Sequence, residues 1–216
     1  MAYNLNDKLV IAISSRALFD LEEENQIFEK DGLDAYYKYQ LENEDKSLKK
    51  GTGYRLVENI LKINSFFSSD ERQVEVIILS KNNAATSLRI TNAINDLKLD
   101  IIRSAWTSGT NISNYLKAFK VDLFLSADDN DVLNAIENGV AAAKILPSNE
   151  NIHNSSNDQV RIAFDGDAVL FSEESELIYK NHGLDAFIEH EKLNKDNPLE
   201  MGPFAKLLLT IAKIQA

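Results

Sequence analysis

The residues best able to do chemistry in this chain are two aspartates, Asp165 and Asp167, in the stretch FDGDAVLF at 164–171. Apolar residues precede and follow them, so the pair is expected at the carboxyl end of a strand, where open α/β sheets bind ligands. Two carboxylates so placed suit phosphoryl transfer. One attacks phosphorus and helps hold a magnesium ion, while the other protonates the leaving oxygen. Asp-Gly-Asp is also an ordinary turn signal carrying two solvated acids. Ser80, closing VEVIILS, is a candidate phosphate-binding hydroxyl, helped by the backbone N–H groups of Lys81-Asn82-Asn83; a helix cap is its plainer role. Lys117, in NYLKAFK, is a candidate phosphate cation, although a single lysine on an amphipathic helix is commonly solvated. Asp128 and Asp129, after VDLFLS, are candidate ligands for magnesium, which prefers oxygen donors; the same SADDND reads equally well as an acidic first helical turn.

Other reactive side chains say less. His153, His182 and His190 are scattered and fit surface positions better than a metal site. Tyr179, Phe187 and Phe204, with Tyr36, Tyr37 and Tyr39, could stack on a nucleobase, but aromatics at helical spacing are more often packing.

The elements that must carry these residues follow from the apolar pattern. Strand-length apolar runs cover 9–14, 74–80, 100–106, 121–126 and 142–146, apolar enough to be buried on both faces as parallel strands are. Helical spacing joins Leu56, Ile60 and Ile63; Leu88, Ile94 and Leu97; Ile112, Tyr115 and Phe119; and Val132, Ile136 and Val140. Strands alternating with helices imply right-handed crossovers and a doubly wound parallel sheet of the α/β class. The run after Leu9 is expected to be the central strand, with Ser14, Ser80 and Asp128 on one carboxyl edge.

An internal repeat adds a second layer. Placing residue i against residue i+151 aligns 9–64 with 160–215 without a gap and gives 18 identities in 56 positions. Gly32-Leu33-Asp34-Ala35 falls on Gly183-Leu184-Asp185-Ala186, and Gly51 on Gly202. The copies differ after their first strand: Ser14-Ser15-Arg16 in one, Asp165-Gly166-Asp167 in the other. The expected organisation is therefore an α/β domain over 1–147 with a degenerate first motif, a polar linker over 148–159, and a partial second copy over 160–216. That copy comprises a strand and cap-like helices and carries the D-x-D pair. Residues 20–50 and 171–201 are expected to share one mostly helical conformation. The strand at 160–165 lacks a sheet of its own, which makes edge addition or a homodimer through this strand an expectation.

Composition narrows the classes of function. The chain has 216 residues, 23 basic against 34 acidic, for a formal charge of −11. Such a surface repels nucleic-acid polymers and anionic membranes, leaving phosphate chemistry to a local pocket. The absence of cysteine excludes thiolate catalysis, zinc–thiolate sites and iron–sulfur clusters. No apolar run reaches membrane-spanning length and the N-terminus reads as no signal peptide, so a cytoplasmic location is expected.

Strand-end D-x-D, strand-end serine, a helical lysine and a strand-end Asp-Asp together resemble the four motifs of the haloacid-dehalogenase-like phosphatases. More closely, the chain resembles the cytosolic 5′-nucleotidase type I family. The resemblance is carried by AISSRALFDLEEEN (12–25), IILSKNNAATSLRITNAIN (77–95), YLKAFKVDLFLSADDNDV (115–132), NGVAAAKILP (138–147) and VRIAFDGDAVLFSEESELIYKNHGLDAFIEHEK (160–192). It implies a haloacid-dehalogenase-like sheet and magnesium-dependent hydrolysis of nucleoside 5′-monophosphates through an aspartyl-phosphate. Asp165 is the implied nucleophile and Asp167 the implied general acid and base. Magnesium would lie against Asp165 and Asp167, and Ser80, Lys117 and Asp128 or Asp129 are first-half equivalents of the remaining motifs. The other reading is a catalytically inactive nucleotide-binding or regulatory module of the same family.

Overall fold

The two most apolar runs form the two innermost strands. In a computed structural model that describes residues 4–147 and 159–215, β1 (Leu9–Ile13) and β4 (Val74–Ser80) are buried at every position. Strands without a polar face need cover on both sides. They pair in parallel, Leu9 opposite Val74 through Ile13 opposite Ile78. Three shorter strands complete the sheet: β5 (Arg103–Trp106), β6 (Leu123–Ser126) and β7 (Ala142–Lys144). The order is β5-β4-β1-β6-β7, every pairing parallel, with β1 in the centre as expected.

The helices between strands supply the cover. α3 (Tyr54–Lys62) and α4 (Leu88–Asp96) lie on the crossovers running outward to β4 and β5; α5 (Ser113–Ala118) and α6 (Asp129–Glu137) lie on those to β6 and β7. Because the strand order reverses at β1, right-handed crossovers put the two pairs on opposite faces. One resulting core gathers Val10, Ala12, Ile77, Leu79 and Phe124 under Ile112, Leu116 and Ala135 of the second pair.

Between β1 and α3 the chain makes an excursion above the carboxyl edge. A single-turn α1 (Ser15–Leu18) leads to a two-stranded ribbon, β2 (Phe19–Asp20) against β3 (Lys49–Lys50), that brackets α2 (Glu22–Glu42). α2 is two helical arms broken at Gly32, whose φ of 85° lies in the left-handed region open to glycine.

The chain divides into two units, the break falling between Val160 and Arg161. The second unit reproduces the excursion. A tight turn over Gly166–Leu170, α7 (Glu174–Asn194) and α8 (Ala205–Gln215) follow one another, and α7 is broken at Gly183 with φ 83° and ψ −176°, against 85° and −176° at Gly32. The edge-to-face pair Phe28–Tyr36 at 6.0 Å recurs as Tyr179–Phe187 at 6.2 Å, the same positions of the repeat.

Two expectations are corrected here. The repeat is not gapless. Gly51 N–H donates to Leu18 O (2.9 Å) but Gly202 N–H donates to Leu170 O (2.8 Å), one residue beyond the 151 register. The extra residue sits in the turn: Phe171 N–H closes a five-residue loop on Gly166 O, and Ala168 takes φ 58° to make room. ALF at 17–19 therefore matches VLF at 169–171. The segment 160–165 also forms no strand among the described residues. Without a neighbouring strand its backbone has no ladder to join. The expected linker lies, apart from Gln159, outside the described residues.

Candidate functional site

The carboxyl ends of β1, β4 and β6 meet beneath α2, and a cavity of about 630 Å³ opens there, lined entirely by the first unit. Each strand ends in serine or passes directly to one, and the hydroxyls are linked. Ser15 Oγ lies 3.0 Å from Ser80 Oγ, and Ser126 Oγ donates to Ser14 Oγ at 3.3 Å. All four serines are buried. Ser14 also caps α1, its Oγ accepting from Ala17 N–H at 3.3 Å.

Charge around this floor is paired. Lys81 Nζ meets Asp131 Oδ1 at 2.6 Å, and Arg16 reaches Glu22 at 3.3 Å and Asn25 at 2.9 Å. Glu24, on α2, is held by Arg89 of α4; both are almost entirely buried. Opposite the floor, Phe28 and Tyr36 form an aromatic wall. The Tyr36 hydroxyl donates to Asn82 Oδ1 and accepts from Gln40 Nε2, each at 3.0 Å. Burial raises its pKa above 10.0, the two hydrogen bonds only partly opposing this, so Tyr36 stays a protonated donor.

Ser80 and Asp128 line the cavity, on the same edge as Ser14. Asp128 is spent as the cap of α6, its Oδ1 accepting from Asp131 N–H at 3.0 Å. Asp129 lies outside the lining, ion-paired with Lys144 at 2.6 Å on the exposed surface. Lys117 does not reach the cavity either. Ile112 and Leu116 turn into the core four residues apart, which carries the next position, Lys117, round to solvent. The cations present are Arg16, in α1, and Lys81, one residue beyond β4. For Lys81, its position in SKNN, directly after a buried strand, was the available signal. Asp131 likewise was legible only as one more acid in DDND.

Asp165 and Asp167 belong to the second unit and are exposed. Asp165 has φ −70° and ψ 152°, matching the −72° and 150° of Ser14, so both residues occupy the same cap position of their copy. Its carboxylate accepts from Gly166 N–H at 2.7 Å. Among the described residues no three metal-ligating side chains of His, Cys, Asp or Glu gather in one place. Two exposed aspartates two residues apart nevertheless suit magnesium, a hard cation that takes one or two carboxylates and keeps its waters. His182 is exposed on α7, whereas His190 is partly buried there, its Nε2 3.6 Å from Glu174; His153 is outside the described residues.

A family model described as 5′-nucleotidase matches residues 1–216. The human protein "Cytosolic 5′-nucleotidase 1B" is 35% identical over 211 residues, which is 96% of this chain and 34% of that protein. The chain thus spans about a third of that relative's length. No solved structure is matched.

Proposed function

The chain belongs to the 5′-nucleotidase family, and from that premise we propose that it hydrolyses nucleoside 5′-monophosphates to nucleoside and phosphate at Asp165 and Asp167. The observation that carries this reading is the geometry of Asp165: an exposed carboxylate at the mouth of a tight turn, in the cap position that its counterpart Ser14 fills with a hydroxyl.

In the proposed reaction the Asp165 carboxylate attacks phosphorus and the bond to the 5′ oxygen breaks. Asp167 gives its proton to that oxygen, releasing the nucleoside. Asp167, now a carboxylate, takes a proton from water, which attacks the aspartyl-phosphate and returns Asp165 as a free carboxylate. Magnesium, held by the Asp165 carboxylate and the Asp167 backbone carbonyl, would supply positive charge to offset that of the phosphate oxygens. Glycine between the aspartates keeps the approach to both open. Lys117 and Asp129, directed to solvent, and Asp128, spent as a cap, are left without a catalytic role.

The test is release of inorganic phosphate from a panel of nucleoside monophosphates with magnesium present. Asp165→Asn should abolish release, a fall on the order of 10³-fold or more, and Asp167→Asn should lower it by about 10²–10⁴-fold. Activity that survives Asp165→Asn would remove the assignment. A second reading, a binding module without hydrolysis, is favoured by one observation: the cavity with its hydroxyl floor lies in the copy that has Ser14 where the other has Asp165.

A further inference from the structure

The first-unit cavity has no nucleophilic carboxylate at the head of its motif, yet it is more fully built than the surroundings of Asp165. Its floor is four buried hydroxyls in two hydrogen-bonded pairs, Ser15 with Ser80 and Ser126 with Ser14. A hydroxyl can turn its proton either way, so such a floor can accept from or donate to ligand hydroxyls. One wall is the Phe28–Tyr36 edge-to-face pair, with Phe28 48% exposed and so able to offer its face to another ring. Asn82, fixed by the Tyr36 hydroxyl at 3.0 Å, adds an amide. The volume of about 630 Å³ is of small-molecule size.

Its electrostatics decide between ligand classes. The carboxylates lining it are Glu24, Asp128 and Asp131; the cations are Arg16 and Lys81. Lys81 is committed to Asp131, Arg16 to Glu22, and Glu24 to Arg89. A phosphate dianion entering here meets more negative than positive charge and no uncommitted cation among the lining side chains. An aromatic ligand with several hydroxyls and no charge meets a matching floor and wall.

We propose that this cavity is a second, non-hydrolysing site that binds a nucleoside. The base would lie against Phe28 and Tyr36, and the ribose hydroxyls against the serines and Asn82. The hydrolysis proposed above enters in one respect only, that it makes the nucleoside this chain's own product and the site a sensor of it.

The test is calorimetric titration of the full chain carrying Asp165→Asn, with adenosine, uridine and AMP as probes. Phe28→Ala, an exposed and structurally mild change, defines the part of the binding that belongs to this cavity. For that part, at least one nucleoside should bind at least tenfold more tightly than AMP. Asp131→Asn should narrow the gap at least threefold by tightening AMP while leaving the nucleosides unchanged. Where that variant melts earlier than its parent, Asp128→Asn keeps the helix cap and removes the same sign of charge. The proposal is overturned if no nucleoside binding depends on Phe28. It is equally overturned if AMP binds there as tightly as the nucleosides, or if removing either carboxylate leaves their ratio unmoved. Loss of phosphate release in the parent chain with nucleoside binding intact would end the hydrolytic reading and leave this one standing.

Discussion

Ser14 and Asp165 share a backbone conformation and differ in what they can do, so at this one position the two copies diverge in side chain rather than in shape. Glycine marks what the shape itself demands. A Cβ on Gly51 would lie 2.7 Å from the Phe19 carbonyl carbon and 2.9 Å from Leu18 O, and one on Gly202 would meet Phe171 O and Val169 O closer still. Gly51→Ala should therefore destabilise the chain by about 1–3 kcal/mol, read as a lower urea midpoint at unchanged slope. An unchanged midpoint would show that the ribbon can shift. Tyr54 gives a pH signature. Burial first, and then the neighbouring Glu58 carboxylate, push its hydroxyl up to about 12 from 10.0. The folded value is raised, so its contribution to stability is complete below pH 10.0 and is lost as pH climbs through about 12. Alkaline spectrophotometric titration should show one tyrosinate step near 12 that Tyr54→Phe removes. At this scale the place of Ser80 at a strand's carboxyl end was legible from its immediate neighbours in VEVIILS. The direction of Lys117 was not, because one position on α5 separates the core-facing stripe from solvent.

At the scale of elements, α2 is held over the cavity by a few polar contacts rather than by a broad apolar stripe. Its buried residues are Glu24 and Gln40, and Leu33 and Phe28 are exposed. The buried Glu24–Arg89 pair anchors its first arm to α4, and Arg89 also reaches Lys46 O at 3.0 Å. Removing one partner of a buried pair strands the other charge. Glu24→Leu should cost about 3–5 kcal/mol, against less than about 1 kcal/mol for Arg16→Met, whose ion pair with Glu22 is partly exposed. Chemical denaturation of both variants checks the contrast; equal losses would mean that Glu24 is not the anchor. Long apolar runs such as VEVIILS were legible because nothing else buries seven consecutive residues. The run at 100–106 was read too early: Lys98 at φ 52° and the bond from Leu99 N–H to Ile94 O close α4 just before it, Ile101 N–H turns back onto Leu99 O, and β5 starts at Arg103. The ribbon of β2 and β3, two residues each, is too short to carry any period. The one-residue insertion after Asp165 was hidden because a compensating deletion between Phe171 and Tyr179 restores the 151 register, so the glycines on its far side still match.

The whole molecule is unequal in its two units. The first holds a five-stranded sheet with β1 and β4 buried throughout, whereas in the second the buried residues among those described are Leu207 and Ser175. Apolar burial is the main favourable term in folding, and a unit of this length with one buried aliphatic side chain has little of it to set against chain entropy. The unit bearing Asp165 should consequently open far more often than the sheet. Native-state hydrogen exchange of the full chain should find β1, β4 and β6 amides protected to the global limit, and those of α7 and α8 exchanging on the order of 10²-fold faster or more. Nucleoside binding in the first unit should raise protection of α1 and of the first arm of α2 without changing α8. Protection of α7 and α8 equal to that of β1 would show that the second unit draws stability from apolar contacts beyond its own. In that case the chemistry at Asp165 would be tied to the global stability of the chain, not to a locally opening module. Slow exchange in β1 with fast exchange in α7 would instead make ordering of the Asp165 turn a step that substrate itself must drive, visible as protection of Gly166–Leu170 on adding AMP with magnesium.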